Sequence, residues 1–132
     1  MYKKKMLFVY NPHSGRGLIE RYLPEIIKMY SASEYELVVH ATNAQGDAYR
    51  FVGEYAKENA CDIVVSAGGD GTLDEVAAAV MESGNPIPVG IISAGSTNDF
   101  AYSLGIPADI CSAAETVLES KAFPCDIANF NG

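Results

Sequence analysis

Short apolar runs and amphipathic stretches alternate along the chain. KMLFVY (5–10), YELVVHA (35–41), DIVVSA (62–67) and PVGIIS (88–93) are rich in β-branched and aromatic residues and read as strands. Between them, apolar residues recur at helical spacing: Ala48, Phe51, Val52, Tyr55 and Ala56 within 47–59, and Leu73, Val76, Ala77, Val80 and Met81 within 72–82. Residues 15–31 also read as helical, with Pro24 expected either to kink the helix or to sit in the first turn of a second one. TNDFAYSL (97–104) predicts a short helix ended by Gly105 and Pro107, and Ile110, Ala113, Ala114, Val117 and Leu118 predict another. AFPCDIA (122–128) reads as a fifth strand, placed at an edge by Pro124.

The first, third and fourth strands are nearly all apolar, so each needs cover on both faces. That pattern belongs to a parallel sheet sandwiched by helices and joined by right-handed crossovers. The expected fold is therefore α/β, a three-layer α/β/α domain with a mostly parallel sheet. A chain of 132 residues suits one such domain with a real core. Internal repeats and low-complexity segments are not seen.

Composition narrows the function classes. Hydrophobic residues make up 48% and charged residues 20%, the profile of a folded globular domain. The net charge is −8, from 17 acidic and 9 basic residues, which argues against a nucleic-acid partner, since phosphate neutralisation needs clustered Lys and Arg. The one basic cluster, Lys3-Lys4-Lys5, reads as a solvated start to the first strand rather than a membrane patch. Cys61, Cys111 and Cys125 are far apart and form no CxxC pair, so neither zinc nor a disulfide framework is indicated and a reducing, cytoplasmic compartment fits. No apolar run approaches the ~20 residues needed to span a bilayer.

In open α/β sheets, ligands bind outside the carboxyl ends of the strands. Here those ends read NPHSGRG, HATNAQGD, GGDGT and SAGSTND. Four polar, glycine-bearing loops on one rim point to a polyanionic, nucleotide-like ligand. Each loop also has a purely structural reading. Thr72 with Glu75, and Ser96 with Asp99, have the spacing of a helix capping box; glycines ease a strand-to-helix turn; Asn11-Pro12 is a common turn opener. Capping explains neither Gly68, Gly69 and Gly71 around Asp70 nor Gly95, Thr97 and Asn98. A phosphate cradle uses them: glycine lets phosphate approach backbone N–H groups at a helix N-terminus, and Asp70 then requires a cation, naturally Mg2+, between itself and the phosphate. His13 and His40 read as loop and strand-end residues. Walker, Rossmann and GxSxG motifs are all lacking.

NPHSGRG, GGDGTLDEV and IISAGSTNDFAYSLGIP together resemble the catalytic domain of the diacylglycerol kinase family, which includes bacterial lipid kinases and sphingosine kinases. The resemblance covers nearly the whole chain. GGDGT alone also suits NAD kinases and phosphofructokinases, whose N-terminal domains share this fold type; the Asn98-Asp99-Phe100-Ala101 segment favours the lipid kinases. The resemblance implies ATP-dependent phosphorylation of a lipid hydroxyl, with ATP and Mg2+ on the rim. Asn11 and Ser14 would face the nucleotide and Thr42 would contact it. Gly68, Gly69, Asp70, Gly71, Thr72 and Asp74 would hold phosphates, Asp70 carrying the metal, and Ser96, Asn98 and Asp99 would shape the same site.

Asp74 stands where the family usually has Asn, Ser96 where it has Thr, and Ser93 where it has Pro. Family members continue into a β-rich domain that supplies the catalytic base and lipid cavity. Residues 1–132 are thus expected to be the nucleotide-binding N-terminal domain, with no catalytic residue of their own and only transient membrane contact. An NAD kinase-like or other small-molecule kinase, and a non-catalytic nucleotide-binding module, are the alternatives.

Overall fold

The expected alternation is realised in the computed structural model, which describes residues 4–13, 17–93 and 110–120. In chain order the elements are β1 (Lys4–Tyr10), α1 (Leu18–Ser31), β2 (Tyr35–Ala41), α2 (Asp47–Lys57), β3 (Ile63–Gly68), α3 (Asp70–Ser83), β4 (Val89–Ser93) and α4 (Ile110–Ser120). The strands form one sheet in the order β2-β1-β3-β4, and every pairing is parallel. The expected helix at 97–104 and strand at 122–128 lie outside the described residues.

Both faces of the sheet are covered, as its apolar strands demand. Met6, Phe8 and Tyr10 of β1 pack with Ile19, Ile26 and Tyr30 of α1 and with Ile110, Ala113, Ala114 and Val117 of α4. The alternate residues Leu7 and Val9 pack with Val52 of α2 and Val76 and Val80 of α3. Each fully buried Val, Leu, Ile, Met or Phe among them contributes about 1.5–3 kcal/mol. The chain leaves β1 toward one edge of the sheet through α1 and leaves β3 toward the other through α3. The two helices therefore lie on opposite faces, as constant right-handed crossovers require.

Pro24 sits inside α1 as a single continuous helix, rather than opening a second one. Glu20, whose carbonyl would have met the missing Pro24 amide, and Pro24 itself are both exposed, so the lost bond faces water. The stripe of Ile19, Ile26 and Tyr30, all fully buried, spans the proline and holds the helix to the sheet. Tyr30 ties it further by donating its hydroxyl to the carbonyl of Ala114, 2.9 Å away. Helix α2 ends two residues before its expected limit because Asn59 adopts the left-handed conformation at φ 54°. The Ala60 amide then bonds back to the Tyr55 carbonyl at 2.8 Å, a helix stop that Asn tolerates.

At Gly90, β4 packs directly against Val117 of α4. A Cβ there would lie 2.9 and 3.1 Å from the Val117 methyls and 3.5 Å from a Val65 methyl. A Cβ on Gly53, inside α2, would meet nothing within 4 Å among the described residues. Gly90→Ala is expected to cost about 1–3 kcal/mol through overpacking, whereas Gly53→Ala gains up to about 1 kcal/mol from helix propensity. Urea unfolding of the two variants checks the opposite signs.

Candidate nucleotide site at the strand-end rim

The parallel register brings the strand ends level. Tyr10 pairs with Ala41 and with Ala67, and Ala67 pairs with Ile92. One residue further on, the Asn11 amide donates to the Ala67 carbonyl at 3.1 Å and the Thr42 amide to the Tyr10 carbonyl at 2.9 Å, while Gly68 pairs with Ser93. Thr42, Asn11 and Gly68 thus occupy one row across three strands, at the point where the chain departs from β1 and β3 in opposite directions. Doubly wound sheets place ligands in the crevice at such a point.

Asn11 has a turn role as well. Its side-chain oxygen accepts the His13 amide at 2.9 Å, an Asx turn of the kind the Asn-Pro pair predicts. Thr42 is almost fully buried. Gly68 ends β3, Gly69 is the extended residue before the helix, and Asp70 and Gly71 open α3. Thr72 is the third helical residue and buried, and Asp74 is exposed. Gly68 to Thr72 therefore adjoin the row formed by Asn11 and Thr42. Ser14, Ser96, Asn98 and Asp99 lie outside the described residues, as does the capping-box pair Ser96 and Asp99.

The expected capping box at Thr72 and Glu75 is not formed. Helix α3 starts two residues earlier than its spacing predicts, with Gly69 at the cap position and no side-chain cap bond. The Leu73 amide closes the first turn on the Gly69 carbonyl at 3.2 Å. Amides ahead of such a closure have no carbonyl within their own helix. Glu75 is engaged elsewhere: its carboxylate accepts the Gly46 amide at 2.9 Å and the Tyr49 amide at 3.3 Å. It thereby caps α2, whose own cap residue, Gly46, has no side chain to offer and sits at φ 91°.

A second carboxylate orders the same loop. Asp47 accepts the Asn43 amide at 2.8 Å and the His40 ring N–H at 3.2 Å, with Arg50 3.8 Å away. His40 stacks flat on Phe51, with ring centroids 4.0 Å apart. Sequence reasoning gave Glu75 only a local cap, treated His40 as a strand-end residue and assigned nothing to Asp47. An acidic residue opening a helix was the available sign for Asp47. Nothing in the spacing could reveal Glu75's contact with a helix 29 residues back.

Backbone need does not account for the glycines of the motif. The described glycines with positive φ are Gly17, Gly46 and Gly84, not Gly68, Gly69 or Gly71. Gly71 is helical and exposed, and a Cβ there meets nothing within 4 Å among the described residues. A helical glycine costs about 0.5–1 kcal/mol against alanine. What it leaves here is room beside first-turn amides and the positive end of the helix dipole. Room for an anion, amides to meet it and a carboxylate at Asp70 fit a phosphate chain with a divalent cation. No group of three or more His, Cys, Asp or Glu arranged to hold a metal occurs among the described residues.

A separate pocket of about 800 Å3 lies on the outer faces of α2 and α3, lined by residues including Tyr49, Gly53, Lys57 and Glu82. It contains none of the expected site residues.

The chain is thus an α/β domain with a parallel sheet between helical layers and a glycine-rich loop at its switch point. The diacylglycerol kinase catalytic domain profile matches residues 5–130. The chain is 40% identical to the diacylglycerol kinase of Bacillus subtilis (strain 168) over 130 residues, covering 98% of this chain and 43% of that protein. It is 36% identical to the diacylglycerol kinase of Staphylococcus epidermidis over 129 residues, covering 98% and 40%. A crystal structure of a diacylglycerol kinase from Bacillus anthracis str. Sterne superposes with a TM-score of 0.79 at 30% identity, over 91% of this chain and 43% of that one. The chain belongs to the diacylglycerol kinase catalytic domain family, and it spans about two fifths of the length of the curated relatives it matches. Among the described residues, no helix is long and apolar enough to cross a membrane.

The Asp47 carboxyl is held below its ordinary value of 3.8, chiefly by the Asn43 amide and then by His40. A lowered folded value means that its contribution is complete above about pH 4. That contribution is lost as pH falls through the lowered value. The Asp47 carboxyl carbon and the Asn43 amide proton are expected to titrate together in NMR with a midpoint below 3.8, and Asp47→Asn should abolish the Asn43 component.

Proposed function

We propose that the strand-end rim is the ATP-binding half of a lipid kinase, acting on diacylglycerol or a related lipid alcohol. One observation carries the reading: Gly71 occupies an exposed helical position, with no other described residue within 4 Å of where its Cβ would sit, beside the first-turn amides of α3 at the switch point between β1 and β3. Family membership supports the kinase class. In this reading the α3 amides and Gly68 to Thr72 bind the phosphates, and Asn11, Ser14 and Thr42 orient the nucleotide. Ser96, Asn98 and Asp99 complete the wall. Asp70 holds Mg2+, and Asp74, exposed on the next turn, faces solvent or a second cation rather than phosphate. Bound Mg2+ neutralises charge on the phosphate oxygens. The remaining work is positioning, which dominates phosphoryl transfer.

The lipid oxygen forms a bond to the γ-phosphorus, the bond from that phosphorus to the β-bridging oxygen breaks, and the hydroxyl proton passes to a base. That base and the lipid cavity are assigned to a further, β-rich domain, so residues 1–132 alone bind ATP weakly and phosphorylate nothing. Lipid approach is a transient surface contact, made by an apolar substrate or another region, because an acidic domain is repelled by anionic lipid.

The test is an NMR titration of the labelled chain with Mg2+ and ATP. Amide shifts are expected at Asn11, Thr42 and residues 68–72, and Asp70→Asn should remove their dependence on Mg2+. Gly71→Ala should keep the fold, or stabilise it by up to about 1 kcal/mol, while weakening ATP binding on the order of tenfold or more. In the full-length enzyme the same change should lower lipid phosphorylation. Binding without any turnover in the unmodified full-length protein would instead identify a non-catalytic nucleotide module, and unchanged ATP affinity in Gly71→Ala would sink the phosphate-cradle reading.

A further inference from the structure

We propose that Glu75 is a positioning residue that clasps the two halves of the rim together, fixing the Thr42 loop relative to the phosphate-binding end of α3. The proposal rests on the ATP reading above. Glu75 lies one helical turn after Gly71, on the helix whose N-terminus faces the rim. Its two carboxylate oxygens reach across to α2 and take the amides of Gly46 and Tyr49, at 2.9 and 3.3 Å.

Gly46 closes the loop that begins at Thr42. That loop is short and its other end is also tied, since the Asn43 amide bonds Asp47 at 2.8 Å. Asp47 is local to the loop and sets its shape. Glu75 comes from the neighbouring βα unit and sets its place. Thr42 itself is held beside Asn11 by its amide's bond to the Tyr10 carbonyl at 2.9 Å; the two ties hold the loop that leads away from it. Without Glu75, the α2 cap has no substitute on its own residue: Gly46 offers no side chain and keeps its left-handed backbone. The Gly46 and Tyr49 amides would turn to water, and the ordering of the 43–46 loop beside Thr42 would have to be supplied at the moment of nucleotide binding. A preordered loop removes that cost.

Length and chemistry make the clasp specific. Aspartate is one methylene shorter and cannot reach both amides. Glutamine keeps an oxygen for one of them, though it loses the charge that favours an anion at a helix N-terminus. A mere helix cap would alter stability alone, whereas a clasp alters ATP affinity in the folded chain.

The experiment uses the labelled 132-residue chain and its Glu75→Ala, Glu75→Asp and Glu75→Gln variants. Amide exchange at Gly46 and Tyr49 is measured without nucleotide, and Kd for ATP with Mg2+ is measured by NMR titration. Glu75→Ala and Glu75→Asp should speed exchange at both amides by about tenfold and raise Kd by a similar factor. Glu75→Gln should return Kd to within about threefold of the unmodified chain. If Glu75→Ala does not fold, the Asp and Gln variants decide the matter. Unchanged exchange at Gly46 and Tyr49 overturns the clasp. Faster exchange with unchanged Kd reduces Glu75 to a helix cap and overturns the positioning role. If the unmodified chain shows no ATP-dependent shift at the rim, the ATP reading fails, and the positioning role falls with it even where the exchange result shows that the contact is real.

Discussion

The parallel pairing of β1 with β3, from which the chain departs in opposite directions, is the constraint on which the rim depends. Both faces of β1 are buried, Met6, Phe8 and Tyr10 on one side and Leu7 and Val9 on the other. Apolar alternation therefore cannot by itself choose the register, since a slip of one residue would exchange one apolar face for the other. What differs along each strand is where the apolar run stops. Tyr10, Ala41, Ala67 and Ile92 share one row, and in three of those strands the next residue is Asn11, Thr42 or Gly68. With the strands level, the polar and small residues open together on one side of the sheet. The opposed crossovers then make β1 and β3 the switch point of the sheet, where doubly wound folds place their ligands.

Electrostatics explain why the site is built from backbone. The chain carries a net charge of −8, and Asp47, Asp70, Asp74 and Glu75 all lie at or near the rim. Two of them, Asp47 and Glu75, are engaged by backbone amides, which lets them order the loop around Thr42. Arg50 sits at the Asp47 end of the loop. No cluster of Lys or Arg stands among the residues that form the row. Amide dipoles at a helix N-terminus, with a metal ion between carboxylate and phosphate, are the means by which such an acidic surface can take a nucleotide.

Much of this was legible in the chain because it rests on local physics. Four strands and the stripes of α2, α3 and α4 follow from apolar periodicity, and the three-layer architecture follows from strands that are apolar on both faces. Element limits were less legible where tertiary packing overrides a local rule. Pro24 stays within one helix because Ile19, Ile26 and Tyr30 are buried on both sides of it while its lost hydrogen bond faces water. The motif residues stood out in the sequence as candidates, and the structure sets Asn11, Thr42 and Gly68 in one row with Asp70 to Thr72 beside it. Glu75's contact was not readable, because it joins residues far apart in sequence, and a strong local motif offered a competing explanation for the same side chain.

That failed motif also bears on how the site works. In a capping box, the Ser or Thr hydroxyl occupies an amide of the first turn. A helix end capped in that way has less to offer an incoming anion. In α3 the cap position is glycine, with no side-chain cap; Thr72 is turned into the protein, and Glu75 spends its oxygens on α2. The two helices are thus treated oppositely. Helix α2 is capped by a carboxylate borrowed from its neighbour, which orders the loop at Thr42. Helix α3 forgoes a side-chain cap at the place where glycine leaves room for a ligand. The cost to α3 is a helix start weakened by roughly a few tenths of a kcal/mol for glycine in place of a capping side chain and by about 0.5–1 kcal/mol for Gly71. Packing of Leu73, Val76, Ala79 and Val80 against the sheet and α2 offsets it, so that the amides can be kept for the rim.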